Sequence, residues 1–251
     1  RALWESPSGC PDAEVVPVDR TYDETLADLV KKLHPKRLGV EGANLSILRA
    51  HQLAGRIAAK LEVGSGAVFD GDPARQAPDP ISLVATDGVV ERLRLIKDEH
   101  EIDMLRRGAA LLSAVAIDVT GDITPGITEQ AFAAKIDWCI KSAGFERCSF
   151  ETIVASGPNS ALPHAHPGAR VMPEGDLVVL DFGGVYGGYC VDLTRTVALG
   201  QPDAEMQRVY DAVLEAQKAA IAAVRPAARA GDIDAAAREA LGRHELAEAF
   251  G

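Results

Sequence analysis

The sequence predicts an α+β fold in which helices pack against one antiparallel sheet. Two β-prone runs, Leu177–Phe182 and Cys190–Leu199, flank a glycine-rich turn and predict a hairpin. Apolar residues at helical spacing predict two helices before these strands and two after them. Because the strands follow one another and do not alternate with helices, an antiparallel sheet is favoured. This domain is expected in the second, larger part of the chain.

A smaller unit is expected before it. Helical spacing extends over Thr21–Leu33, and Leu38–Glu41 is predicted as a strand. Asn44 is of a residue type that caps helices, and it begins a predicted helix that continues to Leu61. The first part of the chain is therefore expected to contain helices together with at least one strand.

The boundary between the two parts is predicted from composition. Residues 70–80 are rich in Asp, Pro and Gly, which predicts a loop. Between residues 84 and 95 the chain passes into the second part without a low-complexity linker. We therefore predict one domain over residues 1–94 and another over residues 95–251.

The helices of the second domain are predicted from their apolar stripes. After an opening helix, a second helix is predicted near Thr128–Ala143. A long amphipathic helix over Ala204–Arg225 stops before Pro226, and Asp232 begins another. The predicted inward-facing residues of the first two helices are Ile102, Leu105, Ala109, Leu112, Ala116, Val119, Phe132, Ile136 and Ile140.

Asp181 and Asp192 are the candidate metal ligands. Each interrupts an apolar or β-prone run, where a carboxylate loses hydration unless a cation or a hydrogen-bond donor compensates. If the two aspartates pair directly, the turn is centred on Tyr186 and Gly187. Their Cβ atoms would then lie roughly 5 Å apart on one face of the sheet. Paired metal ions in hydrolases lie about 3.5 to 4 Å apart, so two cations would fit between such carboxylates.

The hairpin alone leaves a second explanation open. Both aspartates could be ordinary turn or strand-edge residues, solvated or paired with a cation such as Arg195. Alternation places Thr194 on the same face as Asp192, which makes that face polar on one strand only. A polar strip of this kind is expected where a cavity opens, but it does not decide between the two explanations.

Several motifs in one order resemble the pita-bread metallopeptidases. They are Ser156-Gly-Pro-Asn-Ser-Ala-Leu-Pro-His164, Glu174-Gly-Asp-Leu-Val-Val-Leu-Asp-Phe-Gly183 and Gly188-Tyr-Cys-Val-Asp-Leu-Thr-Arg-Thr196. Upstream, the segment from Leu93 to Arg106 resembles the opening helix of their catalytic domain, and Thr124-Pro-Gly-Ile-Thr-Glu129 resembles the next turn and helix start. The resemblance covers residues 81–251 and is to the branch that contains Xaa-Pro dipeptidases (prolidases) and Xaa-Pro aminopeptidases.

This resemblance implies both a fold and a reaction. The fold is a partial pita-bread (creatinase/aminopeptidase-like) catalytic domain, preceded by a partial, smaller α/β domain of the creatinase type. The reaction is hydrolysis of the peptide bond before proline through a metal-bridged water, with a proline-containing dipeptide or peptide as substrate. The cofactors would be two divalent ions per subunit, of manganese, cobalt or zinc. Asp181 is similar to the terminal ligand of one metal, Asp192 to the bridging ligand, and His164 to the histidine that approaches the substrate from outside the metal shell.

The ligand set implied by the resemblance is incomplete. The family completes its metal pair with a histidine in a His-Gly-Ile-Gly-like motif and two later glutamates, and no match to them precedes Gly251. Two carboxylates offer at most four oxygens, fewer ligands than two divalent ions need. We therefore expect the chain to be part of a longer enzyme, with the remaining ligands beyond Gly251.

Composition disfavours other classes of partner. The formal net charge of −11 disfavours nucleic acid and anionic membranes as partners, because both usually require a basic surface. No apolar run approaches the roughly 20 residues of a membrane-spanning helix. The four cysteines are scattered without a paired motif, which favours reduced thiols and a cytoplasmic location. The family resemblance adds the expectation of a homodimer.

Other functions remain as alternatives. The main one is a non-catalytic pita-bread scaffold that binds peptides or proteins, although such relatives usually lose the ligand carboxylates. A metal-independent relative such as creatinase is disfavoured for the same reason. Methionine aminopeptidases share the metal hairpin but normally lack the preceding domain. The sequence does not separate dipeptidase from aminopeptidase activity.

Overall fold

The computed structural model divides the chain into two compact units, Arg1–Ile96 and Lys97–Gly251. The residues that it describes are 16–42, 44–57, 59–63, 67–69 and 81–250. The loop predicted at residues 70–80 lies outside the described residues.

The first unit contains a four-stranded sheet with the strand order β1-β4-β2-β3. Strand β4 runs parallel to both β1 and β2, and β3 is antiparallel to β2. Buried residues of the two longer helices and of β4 form its core. The elements are α1 (Tyr22–Leu33), β1 (Arg37–Glu41), α2 (Ile47–Ile57), β2 (Lys60–Val63), β3 (Ala67–Phe69), β4 (Ser82–Thr86) and α3 (Val89–Leu95).

The prediction for helix α2 was wrong at both ends. The helix begins at Ile47, and the hydroxyl of Ser46, not Asn44, accepts a hydrogen bond from the Arg49 backbone N–H at 3.2 Å. It ends at Ile57 because the chain then forms β2, in which Lys60 pairs with β4. Pairing between distant strands outweighed local helical spacing here, and β2, β3 and β4 were not predicted.

The second unit contains a small antiparallel sheet with β7 at its centre. Strand β8 pairs along the whole length of β7, and the shorter β5 and β6 pair with its other edge. The elements are α4 (Glu99–Asp122), α5 (Glu129–Ser142), β5 (Arg147–Cys148), β6 (Ile153–Ser156), a 3₁₀ turn (Gly157–Ala161), β7 (Leu177–Tyr186), β8 (Tyr189–Ala198), α6 (Ala204–Ala223), α7 (Ala230–Gly242) and a second 3₁₀ turn (Ala247–Ala249).

The two faces of this sheet differ in burial. Helices α4 and α5 cover one face, where Val178, Leu180 and Phe182 of β7 are buried in the main hydrophobic core. The predicted inward residues of α5 lie in the same core. On the other face of β7, Leu177, Val179 and Asp181 alternate with the buried residues and are only half-buried. This second face, called the open face below, carries both candidate metal ligands.

Helix α4 differs from its prediction in two respects. It begins only at Glu99, because Asp98 and Glu101 form a capping box that separates it from α3. Within it, Gly108 is buried, whereas Ile102 and Ala109, both predicted to face the core, are exposed. A Cβ atom at Gly108 would lie 3.1 Å from a methyl carbon of Val191. The glycine therefore allows α4 to approach β8 closely.

The last two helices pack on each other. Ala212 and Ala216 of α6 are buried against Ala240 and Leu241 of α7. Small residues on both helices allow this close contact. None of the helices in the described part of the chain combines the length and the apolar content needed to span a membrane.

Candidate metal centre

The hairpin that carries the two aspartates has a different register from the predicted one. Tyr186 pairs with Tyr189, so the turn consists of Gly187 and Gly188, with φ angles of 56° and 80°. A two-residue turn with positive φ at both positions matches the twist of the strands, and glycine adopts these angles without strain. The predicted centre at Tyr186 and Gly187 was wrong because it would force a tyrosine into this conformation.

The corrected register moves the aspartates from opposite to diagonal positions. Asp181 pairs with Thr194, and Asp192 pairs with Gly183. Diagonal neighbours lie on one face, about 7 Å apart or slightly less at Cβ, so the prediction that both carboxylates share a face is confirmed. Gly183 has no side chain, and a Cβ atom there would collide with Ser149. No side chain of β7 therefore lies directly opposite Asp192, and the charge of Asp181 acts on the Asp192 carboxyl group.

The electrostatics of this pair favour a cation. Partial loss of water around the side chain raises the pKa of Asp192, and the charge of Asp181 and the hydrogen bond between the two carboxyl groups raise this pKa further. Two neighbouring carboxyl groups offer hard oxygen donors, and a bound divalent ion would relieve their repulsion. Asp181 and Asp192 thus fit a divalent metal as part of its ligand set.

The exposure of the pair is greater than the sequence suggested. Asp181 is half-buried and Asp192 is exposed, because both lie on the open face. The hydroxyl of Thr194 donates a hydrogen bond of 2.9 Å to Oδ1 of Asp181. This bond orients the Asp181 carboxylate toward its neighbour, as hydrogen bonds to metal-binding carboxylates commonly do.

A cavity of about 710 Å³ lies on the open face beside Thr194, the residue that donates a hydrogen bond to Asp181. Val179 and Thr194 from the sheet line one side, and Tyr210 and Val213 of helix α6 line the other. Ser160, from the 3₁₀ turn after β6, also lines this cavity. The segment that carries His164 therefore reaches the same face of the sheet as the two aspartates.

His164 lies in an exposed turn beyond the 3₁₀ turn. The part of the chain that the structure describes contains no cluster of three His, Cys, Asp or Glu side chains able to hold a metal ion. The structure thus brings Asp181 and Asp192 together and leaves His164 outside any such cluster. The role of His164 stays a prediction.

Glu129 is a buried carboxylate that the sequence reasoning treated only as part of a helix start. Its exposed fraction is 0%, and it accepts hydrogen bonds from the Ser156 N–H and hydroxyl, the Asn159 amide and the Gly168 N–H. Burial opposes ionisation, but these hydrogen bonds outweigh it and lower the pKa of Glu129. A Glu that follows a capping Thr was visible in the sequence, but its distant donors were not.

The family of the chain follows from comparison with known proteins. Metallopeptidase family M24 matches residues 103–251, which is more than half of the chain. The chain therefore belongs to this metallopeptidase family, and the resemblance drawn from its motifs is confirmed. The mixed helix-and-sheet unit that carries the hairpin has the pita-bread fold of that family.

Individual relatives match different shares of the chain. The probable dipeptidase PepE of Mycobacterium tuberculosis is 42% identical over 179 residues, which are 71% of this chain and 47% of the relative. The Xaa-Pro dipeptidase of Pyrococcus furiosus is 37% identical over 164 residues, which are 65% of this chain and 47% of the relative. The crystal structure of X-Pro aminopeptidase from Thermotoga maritima superposes with a TM-score of 0.80 at 28% identity, covering 94% of this chain and 62% of that one.

The matched relatives are longer than the matched region. The chain spans about half the length of the two curated relatives named above, 47% in both cases. What those relatives do as whole proteins is therefore carried to this chain only as a proposal.

Proposed function

We propose that this chain contributes to a metal-dependent peptidase that cleaves the peptide bond before proline, as an Xaa-Pro dipeptidase or Xaa-Pro aminopeptidase. The observation that carries the proposal is the placement of Asp181 and Asp192 at diagonal positions on one face of the hairpin, within the matched family segment. Relatives named as Xaa-Pro dipeptidase and X-Pro aminopeptidase support the choice of substrate bond. Retention of both carboxylates favours an enzyme over a non-catalytic scaffold.

In this proposal the two aspartates hold two divalent ions of manganese, cobalt or zinc, together with ligands from elsewhere in the protein. Asp181 would be a terminal ligand and Asp192 a bridging one, as the family resemblance implies. Thr194 keeps the Asp181 carboxylate in place through its hydroxyl. When bound, such ions lower the pKa of a coordinated water and polarise the substrate carbonyl.

His164 acts on the substrate in this proposal. From its exposed turn, the imidazole donates a hydrogen bond to the substrate carbonyl oxygen as negative charge develops there. The cavity beside the aspartates accepts the substrate chain, and its apolar walls at Val179 and Val213 exclude water from one side. Homodimer formation and a cytoplasmic location belong to the same proposal and rest on the family resemblance.

The first test measures metal content and hydrolysis in the full-length protein. Asp181→Ala and Asp192→Ala are expected to lose metal at one or both positions, measured by elemental analysis, and to lose hydrolysis of Xaa-Pro dipeptides. Asp103→Ala, which removes an exposed aspartate of α4 paired with Arg107, is the matched control and keeps both properties. Two retained metals per subunit in the Asp192 variant would sink the assignment.

The second test separates the two substrate classes. Wild-type protein is assayed on an Xaa-Pro dipeptide and on a longer peptide with proline in the second position. Hydrolysis of the dipeptide alone identifies a dipeptidase, and release of the first residue from the longer peptide identifies an aminopeptidase. Failure to cleave either substrate in the metal-loaded protein would contradict the proposed function.

A further inference from the structure

We propose that Glu129 is a positioning residue for catalysis, which holds both ends of the segment that carries His164. Residues 157–168 form this segment, called the His164 loop below. The proposal rests on the function proposed above, because it assumes that His164 acts on the substrate. It goes beyond the family's ligands by giving a task to a buried carboxylate that contacts neither aspartate.

One carboxylate binds the two ends of the His164 loop. At the start, Oε1 accepts hydrogen bonds of 2.8 Å from both the N–H and the hydroxyl of Ser156. At the end, Oε2 accepts a bond of 3.2 Å from the Gly168 N–H. The side-chain amide of Asn159 donates to both oxygens, at 3.0 and 3.1 Å. Removal of this group would therefore break side-chain hydrogen bonds at both ends of the loop together.

Backbone hydrogen bonds connect Asn159 to the turn that carries His164. The Asn159 carbonyl accepts a hydrogen bond from Leu162 N–H at 3.0 Å, and the Leu162 carbonyl accepts one from Ala165 N–H at 3.3 Å. Ala165, directly after His164, is buried. The exposed His164 side chain thus extends from a turn whose backbone is connected to Glu129 by three successive hydrogen bonds, through Asn159 and Leu162.

The loop is also oriented relative to the aspartates. It begins where β6 ends, and β6 pairs with β7 so that Ile153 lies opposite Asp181. Arg170 strengthens the anchor, because it donates to the Ser156 hydroxyl at 3.0 Å and forms an ion pair with Asp176. Ser160 of the loop lines the cavity beside the aspartates. A shift of the anchor would therefore move the loop across the site.

A carboxylate is the side chain that these donors require. Every group that forms a hydrogen bond with the Glu129 carboxylate acts as a donor. Two of these donors are the backbone N–H groups of Ser156 and Gly168. A glutamine in the same place would direct its NH₂ group at one of these two N–H groups in either orientation. Glu129→Gln thus changes the anchor with almost no change in side-chain volume.

The test is a double-mutant cycle in the full-length, metal-loaded protein. Glu129→Gln is expected to lower kcat for an Xaa-Pro dipeptide at least about tenfold, because small errors in the placement of a catalytic group are costly. In the His164→Ala background the same change should lower kcat less than about twofold, because the group that it positions is absent. Metal content should equal that of the wild type in all variants.

Asp137→Asn is the matched control. Asp137 also lies on α5 and accepts hydrogen bonds from Thr152 and Cys148, before β6 rather than after it. The kcat of the Asp137→Asn variant is expected to stay within about twofold of the wild-type value. If Glu129→Gln does not fold, Asn159→Ala replaces it, with a smaller kcat loss that again shrinks in the His164→Ala background.

The outcomes separate this proposal from the proposed function. Equal losses of kcat in the two backgrounds, or unchanged kcat in Glu129→Gln, would overturn the positioning role while leaving the enzyme class intact. A wild-type protein that cleaves no Xaa-Pro bond would overturn the proposed function and the catalytic role of Glu129 with it. Faster hydrogen exchange of the amides of residues 157–168 in Glu129→Gln supports the anchor independently of activity.

Discussion

The second unit contains two carboxylate sites of opposite character. Glu129 is fully buried, and each of its oxygens is bound by donors from the protein. Asp181 and Asp192 lie on the open face, where Thr194 donates to Asp181 and the charge of Asp181 acts on Asp192. The pKa of Glu129 is lowered, whereas that of Asp192 is raised.

This difference separates a carboxylate that the protein itself stabilises from two carboxylates that are candidate metal ligands. The hydrogen bonds that Glu129 accepts stabilise its negative charge within the protein, so it needs no cation. The aspartate pair has too few donors for two charges, and a divalent ion would supply the compensation. Burial alone would have ranked Glu129 as the stronger metal candidate, so the supply of donors is the better criterion at this site.

The largest expected effect is on stability at the buried site. Glu129→Gln should lower the free energy of unfolding by about 3 kcal/mol, because a backbone N–H is left without its acceptor and charge-assisted bonds are lost. Urea unfolding followed by circular dichroism measures the change. Asp137→Asn, which disturbs one hydroxyl contact and one thiol contact on the same helix, should cost about 1 kcal/mol. Equal losses of unfolding free energy in the two variants would mean that Glu129 is no more important for stability than Asp137.

The stability lost in Glu129→Gln is expected to depend on pH in one direction. Because the pKa of Glu129 in the folded protein lies below its ordinary value of 4.5, its contribution is complete above pH 4.5 and is lost as the pH falls through the lower folded value. The stability difference between wild type and Glu129→Gln should therefore be greatest near neutral pH and shrink below pH 4.5. A difference that grows on acidification would contradict the hydrogen-bond network.

A smaller effect, on metal affinity, is expected when the Thr194 hydroxyl is removed. Thr194→Val keeps the side-chain shape but removes the donor to Asp181. We expect metal affinity to fall about tenfold, in the range seen when groups that orient metal ligands are removed. Calorimetric titration of the metal-free protein with Mn²⁺ measures it. Thr196→Val, on the same face opposite Val179, should leave the affinity unchanged.

The smallest effect is expected for the stability of an aspartate variant. Asp192→Asn in metal-free protein should change the free energy of unfolding by less than about 0.5 kcal/mol, because the repulsion with Asp181 is removed while a hydrogen bond remains possible. Thermal unfolding in the presence of a chelator measures this. A loss above about 1 kcal/mol would mean that Asp192 has a structural role like that of Glu129.

Local patterns predicted most of the second unit. The inward residues of α5 and the existence of the hairpin followed from the spacing of apolar and turn residues within short segments. The motifs around Asp181 and Asp192 led to the family, which the comparisons confirm. Errors appeared where distant segments compete with local preference, as at the end of α2, where β2 pairs with β4.

The amino-acid sequence alone was sufficient for the α+β class and the metallopeptidase family, because these depend on residue types at short spacing, and it selected Asp181 and Asp192 as candidate ligands. The tertiary structure decided the diagonal register of the aspartates and the donors that surround Glu129. The register is set by the two-residue turn at Gly187 and Gly188, whereas the donors come from segments far apart in the chain: Gly168 N–H reaches Glu129 only after the sheet and α5 have packed. The fate of a carboxylate is set by such neighbours, which local spacing does not specify.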